Sequence, residues 1–470
     1  MDIERFATPG LGDTSYLIAS DGEAALVDPQ RDAWRFLEVA EARGWRVTQV
    51  LETHVHNDYL SGALETRSRT GATIVAPSLG GYGFAHRGAE EGTDVRIGNL
   101  RLTAMATPGH TPEHLAWSVG TADLDLHHPP EAVFSGGSLL VGTAGRTDLL
   151  GPEQTAELTN LQSTSLRRLA ALPPSVRILP THGAGSFCAA GDAAPGSETT
   201  VGAELGANPV LAAAGSGDFS ATLLGGLGQY PTYYGRMAPL NRSGPAVLGG
   251  PPHVASLDPA GFHRAASGGT QIIDARPREA FAAAHIAGSL NIELDDSFAS
   301  YVGWLVRFNA PLLLVLPDPI AEAAAVAVTH LLRIGYDRVA GVLAGGIDGW
   351  TASGRSTRTY PTTSIEQVFA AAARGERSAL LDVRQPIEWR DDGAIPWAQT
   401  IFVADLADRI RELPADRQVT VLCKAGTRAA IAASMLDAAG IPVQLVATGG
   451  ATGWADRFAA LPSTATVTRG

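Results

Sequence analysis

Short apolar runs of period two open the chain. Residues 15–19 and 24–27 flank Asp21-Gly22, and this pair of turn residues between two alternating segments predicts a β-hairpin. The apolar spacing then becomes helical over residues 34–43 and returns to a strand over 47–52 that runs into histidines. Mixed strand and helix patterning continues to about residue 205. The span 215–259 is rich in Pro, Gly and Ser, which predicts an extended connection that wraps the first domain or leads into the second half of the chain.

That second half contains a repeat. Ile272-Ile273-Asp274-Ala275-Arg276, with Glu279 and Phe281, recurs as Leu380-Leu381-Asp382-Val383-Arg384 with Glu388 and Trp389. Gly345-Gly346-Ile347-Asp348-Gly349-Trp350 recurs as Gly449-Gly450-Ala451-Thr452-Gly453-Trp454. Both landmarks recur after roughly a hundred residues, the size of a domain and not of a solenoid unit. In the second copy the apolar strand 419–422 meets a glycine-containing loop and an alanine-rich helix over 428–439, a geometry that exposes a residue at the C-terminal edge of a parallel sheet.

Composition narrows the function. At 470 residues and 45% hydrophobic content, two to four globular domains are expected. A net charge of -13 without a basic block argues against nucleic acid or an anionic membrane as partner and for a small substrate. No signal segment or membrane-length apolar run is visible, so a cytoplasmic location is expected, and we also expect a homo-oligomer. Cys188 and Cys423 are the two cysteines, too few for a disulfide framework, which turns attention to a working thiol.

Three histidine elements carry metal-ligand spacing. Thr53-His54-Val55-His56-Asn57-Asp58-Tyr59 places two imidazoles and a carboxylate at alternate positions just past a strand, so that they point to one side. Thr107-Pro108-Gly109-His110 adds a histidine in a tight turn, and Pro180-Thr181-His182-Gly183 adds another after an apolar strand. His127 and His128, beside two prolines, read as an exposed loop. Cys188 comes soon enough after the His182 turn to approach the same pocket, as a sulfur acceptor or as a small buried hydrophobe.

With these elements and Gly145-Arg146-Thr147-Asp148-Leu149, residues 1–245 resemble the metallo-β-lactamase superfamily, and within it the persulfide dioxygenases. The resemblance implies an αββα sandwich holding one Fe(II) on two histidines and an aspartate, and oxidation of a thiol persulfide to sulfite. It carries His54 and His110 over as ligands. At the aspartate position this chain has Gly137, within Ser135-Gly136-Gly137-Ser138-Leu139. Two alternatives result: a three-histidine face of His54, His56 and His110 with one Fe(II) per chain, or a site taken by Zn. Asp58, His182 and Cys188 are further candidates for ligand or pocket. A dinuclear hydrolase is disfavoured, because the missing aspartate would bridge its metals and Tyr59 stands where another histidine is expected.

The loop Cys423-Lys424-Ala425-Gly426-Thr427-Arg428 resembles the rhodanese active loop, C-x-x-G-x-R. Such a loop aims backbone N–H groups at the sulfur, while Lys424, Arg428 and the helix N-terminus add positive potential that favours a thiolate and then its persulfide. In the first copy Leu316 is followed by Pro317-Asp318-Pro319. We expect Pro317 to hold the place of the cysteine, and two prolines remove amide donors.

The expected organisation is therefore α/β throughout: a metallo-β-lactamase-fold domain over 1–245, an inactive rhodanese-like domain over 252–357 and an active one over 358–470. The resemblance to bacterial fused persulfide dioxygenase-sulfurtransferases implies thiol persulfides, thiosulfate and sulfite as small-molecule partners, with Cys423, Lys424, Gly426 and Arg428 serving sulfur transfer. The alternatives are a plain sulfurtransferase with a metal-poor or zinc-bound N-terminal domain, and a non-catalytic sulfur carrier.

Overall fold

The computed structural model describes residues 1–123, 128–191, 193–266 and 268–461. His127 and the last nine residues of the expected third domain lie outside that set. The chain packs as two compact units: Met1–Pro252 with Thr329–Tyr336, and His253–Val328 with Asp337–Gly470. Among the described residues no helix is long and apolar enough to cross a membrane.

The first unit is an αββα sandwich. One six-stranded sheet runs Asp2–Thr8, Asp13–Ser20, Glu23–Val27, Arg46–Leu51, Thr73–Pro77, Arg87–Ala89 in spatial order. The other runs Thr199–Thr200, Arg177–Pro180, Ala132–Gly136, Leu115–Thr121, Leu100–Ala106, Asp94–Ile97. The hairpin turns at Asp21 and Gly22, both at positive φ (50° and 77°), as a two-residue turn between twisted strands requires. Period two sorts the side chains: Tyr16 and Ile18 enter the core between the sheets with Trp117 and Phe134, whereas Leu17 and Ala19 face Phe36 of helix Trp34–Ala42. Helix Pro152–Ala170 covers the second sheet through Leu166 and Leu169.

The span expected to be an extended connection folds instead. Helices Phe219–Leu224 and Tyr234–Ser243 lie within it. The second helix carries Asn241, whose Nδ2 donates to the carbonyls of His56 (2.9 Å) and Tyr59 (2.8 Å). The Tyr233 hydroxyl donates to the Asp58 carbonyl at 2.9 Å. Buried tertiary contacts, which a local Pro/Gly count does not register, hold these helices.

In the second unit the repeat becomes two five-stranded parallel sheets of the same strand order. The first runs Ser256–Leu257, Val339–Leu343, Leu312–Val315, Gln271–Asp274, Leu290–Asn291, and the second Thr362–Ser364, Val443–Thr448, Val419–Leu422, Ala379–Asp382, Gln399–Thr400. The Asp-x-Arg landmark is a brace in both copies. Arg276 pairs with Asp274 (2.6 Å) and donates to the Ala284 carbonyl (2.7 Å), and Arg384 pairs with Asp382 (2.7 Å) and donates to the Gly393 carbonyl (2.8 Å).

The ladders also fix the correspondence of the two loops. Asp274 pairs with Val315 as Asp382 pairs with Leu422, so Leu316, and not Pro317, stands at the place of Cys423. Pro319 then stands at the place of Gly426. The reason is the strand: Leu316 is buried (2% exposed) and continues the apolar run by one residue before the prolines begin.

Helix Thr427–Ala438 is buried on nearly every side, at Ala429, Ala430, Ile431, Ala432, Ala433, Ser434, Leu436 and Asp437. Its outer face meets the first repeat, where the Asn291 N–H donates to Ser434 Oγ (3.0 Å) and His285 Nε2 lies 3.1 Å from Asp437 Oδ2. Small side chains allow this close approach on two faces, which is why the helix shows alanine instead of an amphipathic stripe.

Candidate metal centre and sulfur-transfer loop

The histidine elements converge where strands Glu23–Val27, Arg46–Leu51, Ala132–Gly136 and Arg177–Pro180 end. His54, His56, His110, His114 and His182 are all buried. Hydrogen bonds to one nitrogen of each ring settle which nitrogen is left to bind.

His110 Nδ1 lies 2.8 Å from the Arg146 carbonyl, and a carbonyl only accepts, so Nδ1 carries the proton. Its Nε2 has a bare lone pair and no partner. Thr53 Oγ1 gives its proton to Asp28 Oδ2 at 2.7 Å and can therefore only accept from His54 Nδ1 at 2.8 Å; the His54 lone pair is again on Nε2. His182 Nδ1 faces Asp13 (2.9 Å) and Asp58 (3.2 Å), which directs its Nε2 to within 3.3 Å of His54 Nε2. A cation can sit among the three Nε2 atoms of His54, His110 and His182, which lie within 4.8 Å of one another. Acceptors on the far nitrogen are the usual support of ligating imidazoles.

His56 is turned the other way. Its Nε2 faces Glu52 (3.1 Å) and Asp28 (3.3 Å), Tyr59 stacks on its ring at 4.4 Å, and Nδ1 is left without a partner. It groups with Asp28 and His54, or with Asp58 and His182. The expected face of His54, His56 and His110 is not one of the groups within ligand distance, where His182 joins His54 and His110; the His56 ring nonetheless lies 4.3 Å from that of His54, with Glu52 and Asp28 on Nε2 and Nδ1 open. His114 donates from Nδ1 to Thr107 Oγ1 (2.8 Å) and accepts from the Gly137 N–H (2.9 Å), so both of its nitrogens are used. His128 is exposed.

Gly137 is more than a lost ligand. A Cβ there would lie 2.3 Å from His110 Cδ2, so the His110 ring fills the space that a side chain would need. Gly145 is required for a similar reason, its Cβ meeting the Gly137 carbonyl at 1.9 Å. The Gly-Arg-x-Asp-Leu element thereby delivers the Arg146 carbonyl to His110, with the Arg146 guanidinium clamped on Asp148 (2.6 and 2.7 Å).

Burial and neighbours set the charges. Burial pushes His54 well below its ordinary value and His110 down to about 3, which keeps both neutral and able to ligate. Burial opposes charge on His182 too, but Asp58 and Asp13 lift it to about 9, making its imidazole strongly basic. Of those two carboxylates, burial and Asp58 raise Asp13 to about 8, while Asp58, despite burial, is drawn by His182 to about 2. Cys188 is buried, and burial, then Asp58 and Asp13, push its thiol well up. It sits in this pocket as a thiol. Sequence reasoning missed Asp13, Asp28, Glu52, Tyr233 and Asn241; of these, Asp28, directly after a strand in Leu26-Val27-Asp28-Pro29, carried a weak signal.

At the second centre, Cys423 directly follows strand Val419–Leu422 and is 2% exposed. The Gly426 N–H donates to its Sγ at 3.1 Å. Gly426 has φ +97°, a conformation that L residues avoid. Gly450 admits the loop from the other side, since a Cβ there would lie 1.5 Å from the Lys424 carbonyl. Lys424 is exposed at the loop's rim. Arg428 is held by Glu388 through both carboxylate oxygens, one at 2.9 Å, so much of its positive charge is neutralised.

The metallo-beta-lactamase superfamily matches residues 8–182, and the rhodanese-like domain matches twice, at 260–353 and 366–457. The chain belongs to the metallo-beta-lactamase superfamily and carries two rhodanese-like domains. A hydroxyacylglutathione hydrolase of Polaromonas sp. is 34% identical over 173 residues, 36% of this chain and 61% of that protein. The chain thus spans less than two thirds of that relative. One from Cereibacter sphaeroides is 33% identical over 188 residues, 39% of this chain and 67% of its own length. A crystal structure of a metallo-beta-lactamase from Staphylococcus aureus subsp. aureus COL aligns with a TM-score of 0.65 and 27% identity, covering 73% of this chain and 98% of that one. The metallo-β-lactamase domain holds a histidine cluster fit for a metal, and the rhodanese-like domains tie the protein to sulfur metabolism.

Proposed function

We propose that the protein oxidises a low-molecular-weight thiol persulfide at a single metal ion and moves sulfane sulfur through Cys423. The observation that carries the first half is the convergence of three Nε2 atoms, from His54, His110 and His182, each with its far nitrogen tied to an acceptor. Bound there, Fe(II) would supply open positions for sulfur and O2. The protein's own part is to keep His54 and His110 neutral by burial, and to hold the ligand loop through Asn241 and Tyr233. The balanced reaction takes R–S–SH, O2 and H2O to R–SH, sulfite and two protons.

The second half rests on the Gly426 amide at the Cys423 sulfur. The thiolate attacks the outer sulfur of thiosulfate, the S–S bond breaks, sulfite leaves with the electron pair, and Cys423 carries the persulfide to a thiol or cyanide acceptor.

Gly137 favours a second reading, sulfurtransfer alone with zinc in the N-terminal site. Hydrolysis of a hydroxyacylglutathione, the activity named for the relatives, is a third. Metal analysis of anaerobically purified protein, with oxygen uptake on several persulfides and hydrolysis of a hydroxyacylglutathione, separates them. The proposal expects iron near one per chain, lost in His110→Ala and His182→Ala and retained in His56→Ala, with oxygen uptake and no hydrolysis. Iron-loaded protein that consumes no oxygen sinks the dioxygenase half. Cys423→Ser is expected to abolish sulfur transfer, and transfer at the wild-type rate sinks the other half.

A further inference from the structure

The repeat without a cysteine reaches into the loop that has one. Arg278, the first residue of helix Arg278–Ala283, donates from Nη1 to the Ala425 carbonyl at 2.6 Å and from Nη2 to Thr427 Oγ1 at 3.2 Å. Glu293, in the same repeat, pairs with the guanidinium at 2.5 Å and accepts from the Arg278 backbone N–H at 2.9 Å. A Cβ on Gly426 would lie 1.6 Å from Arg278 Nη1, so the guanidinium occupies the ground that a side chain at 426 would take.

The Ala425 carbonyl and the Gly426 N–H belong to one peptide plane. In a trans peptide these two groups point in opposite directions, so fixing the oxygen on one side fixes the hydrogen on the other. The oxygen is fixed by Arg278, and the hydrogen points at Cys423 Sγ. A flip of this peptide would turn the donor away and bring a carbonyl dipole toward the sulfur. A glycine at 426 makes such a flip cheap, because it populates both signs of φ.

We propose that Arg278 is a positioning residue for sulfur transfer: the catalytically silent repeat locks the 425–426 peptide so that its N–H stays on the Cys423 sulfur. The bond from a cation also polarises that peptide and strengthens its donor. Tyr301, likewise of the first repeat, lies within electrostatic reach of Cys423 and Arg428. The inference rests on Cys423 being the persulfide carrier.

The test uses the full chain with Arg278→Ala, Arg278→Lys and Glu293→Gln. Two readouts are taken: the pH–rate profile of iodoacetamide alkylation at Cys423, resolved by peptide mass spectrometry, and steady-state transfer from thiosulfate to cyanide. In Arg278→Ala the alkylation profile moves to higher pH and kcat falls on the order of tenfold, the worth of one hydrogen bond to a charged group, with KM for thiosulfate changing less. Added guanidinium ion restores part of the rate, and Arg278→Lys, which keeps one donor for the Ala425 carbonyl, loses less than alanine. An unchanged alkylation profile and kcat in Arg278→Ala overturn the proposal. Should that variant not fold, Glu293→Gln, which loosens the guanidinium without removing it, must show the same shift in smaller measure, and no shift there overturns it equally. If instead Cys423→Ser transfers sulfur normally, the carrier reading fails, while the alkylation profile still reports on Arg278.

Discussion

Gly426→Ala is the substitution that tests most of the sulfur-transfer geometry at once. At φ +97° an L residue pays about 1–2 kcal/mol for a left-handed backbone. The new Cβ, 1.6 Å from Arg278 Nη1 and 3.0 Å from the Ala447 carbonyl, also expels the guanidinium, at a cost of about 1 kcal/mol for each hydrogen bond lost. Stability therefore falls by about 3–4 kcal/mol. The rate falls for a separate reason: once the 425–426 peptide turns, the thiolate loses a charge-assisted donor worth about 1.5–3 kcal/mol, roughly 10- to 150-fold in kcat. Thiocyanate formation from thiosulfate and cyanide gives the rate, and denaturant unfolding gives the stability. Combining Gly426→Ala with Arg278→Ala removes the clash, so the double variant is expected to be less destabilised than the two singles together and to stay slow. A Gly426→Ala protein with wild-type kcat would refute the assignment of the Gly426 N–H to the sulfur.

Three further outcomes are expected. Gly137→Asp restores the carboxylate in sequence but drives its Cβ into His110, so it loses about 1–3 kcal/mol to overpacking and holds less metal; metal content and melting measured together would expose an error. Leu316→Cys in a Cys423→Ser background gains no persulfide on treatment with thiosulfate, whereas Leu316→Cys with Pro319→Gly does, since the second change returns an N–H at the position matching Gly426; intact-mass analysis distinguishes them. Glu388 is half-buried, which raises its carboxyl, yet Arg428 holds it below the usual 4.5. A depressed folded value contributes stability above that pH and loses it as pH falls through the folded value. Glu388→Gln is therefore expected to be less stable than the parent near neutral pH, with the gap closing in acid; a gap independent of pH would show that the ion pair contributes nothing.

Local signals carried much of this in the sequence. Asp21-Gly22 announced its hairpin because a two-residue turn needs both residues at positive φ. The order His54-x-His56, His110, His182 and the loop Cys423–Arg428 were visible because strand ends and βα turns present such residues at fixed spacing. Choosing among the histidines was a different matter. His56 and His182 differ as candidates through Glu52, Asp28, Asp13 and Asp58, and those four come together only after the sheets have closed. The register of Leu316 was hidden by a strand one residue longer than the proline suggested, and helix Tyr234–Ser243 was hidden by its Gly- and Pro-rich surroundings. The alanine-rich helix beyond Cys423 could be seen, but the absence of a polar face on it meant burial on two sides, and only the partner surface of the other repeat supplies the second side.

That doubly buried helix bears on how the two copies can change over time. In a tandem repeat, a copy without a nucleophile is usually free to drift. Here the freedom is uneven. Pro317 and Asp318 stand where the first copy has no sulfur to hold, while Arg278, His285 and Asn291 are bound to positions in the sister copy and Glu293 holds Arg278 in place. Under the role proposed for Cys423, selection on it acts on a stretch of chain well over a hundred residues upstream, and the unit that is inherited and lost together is the pair.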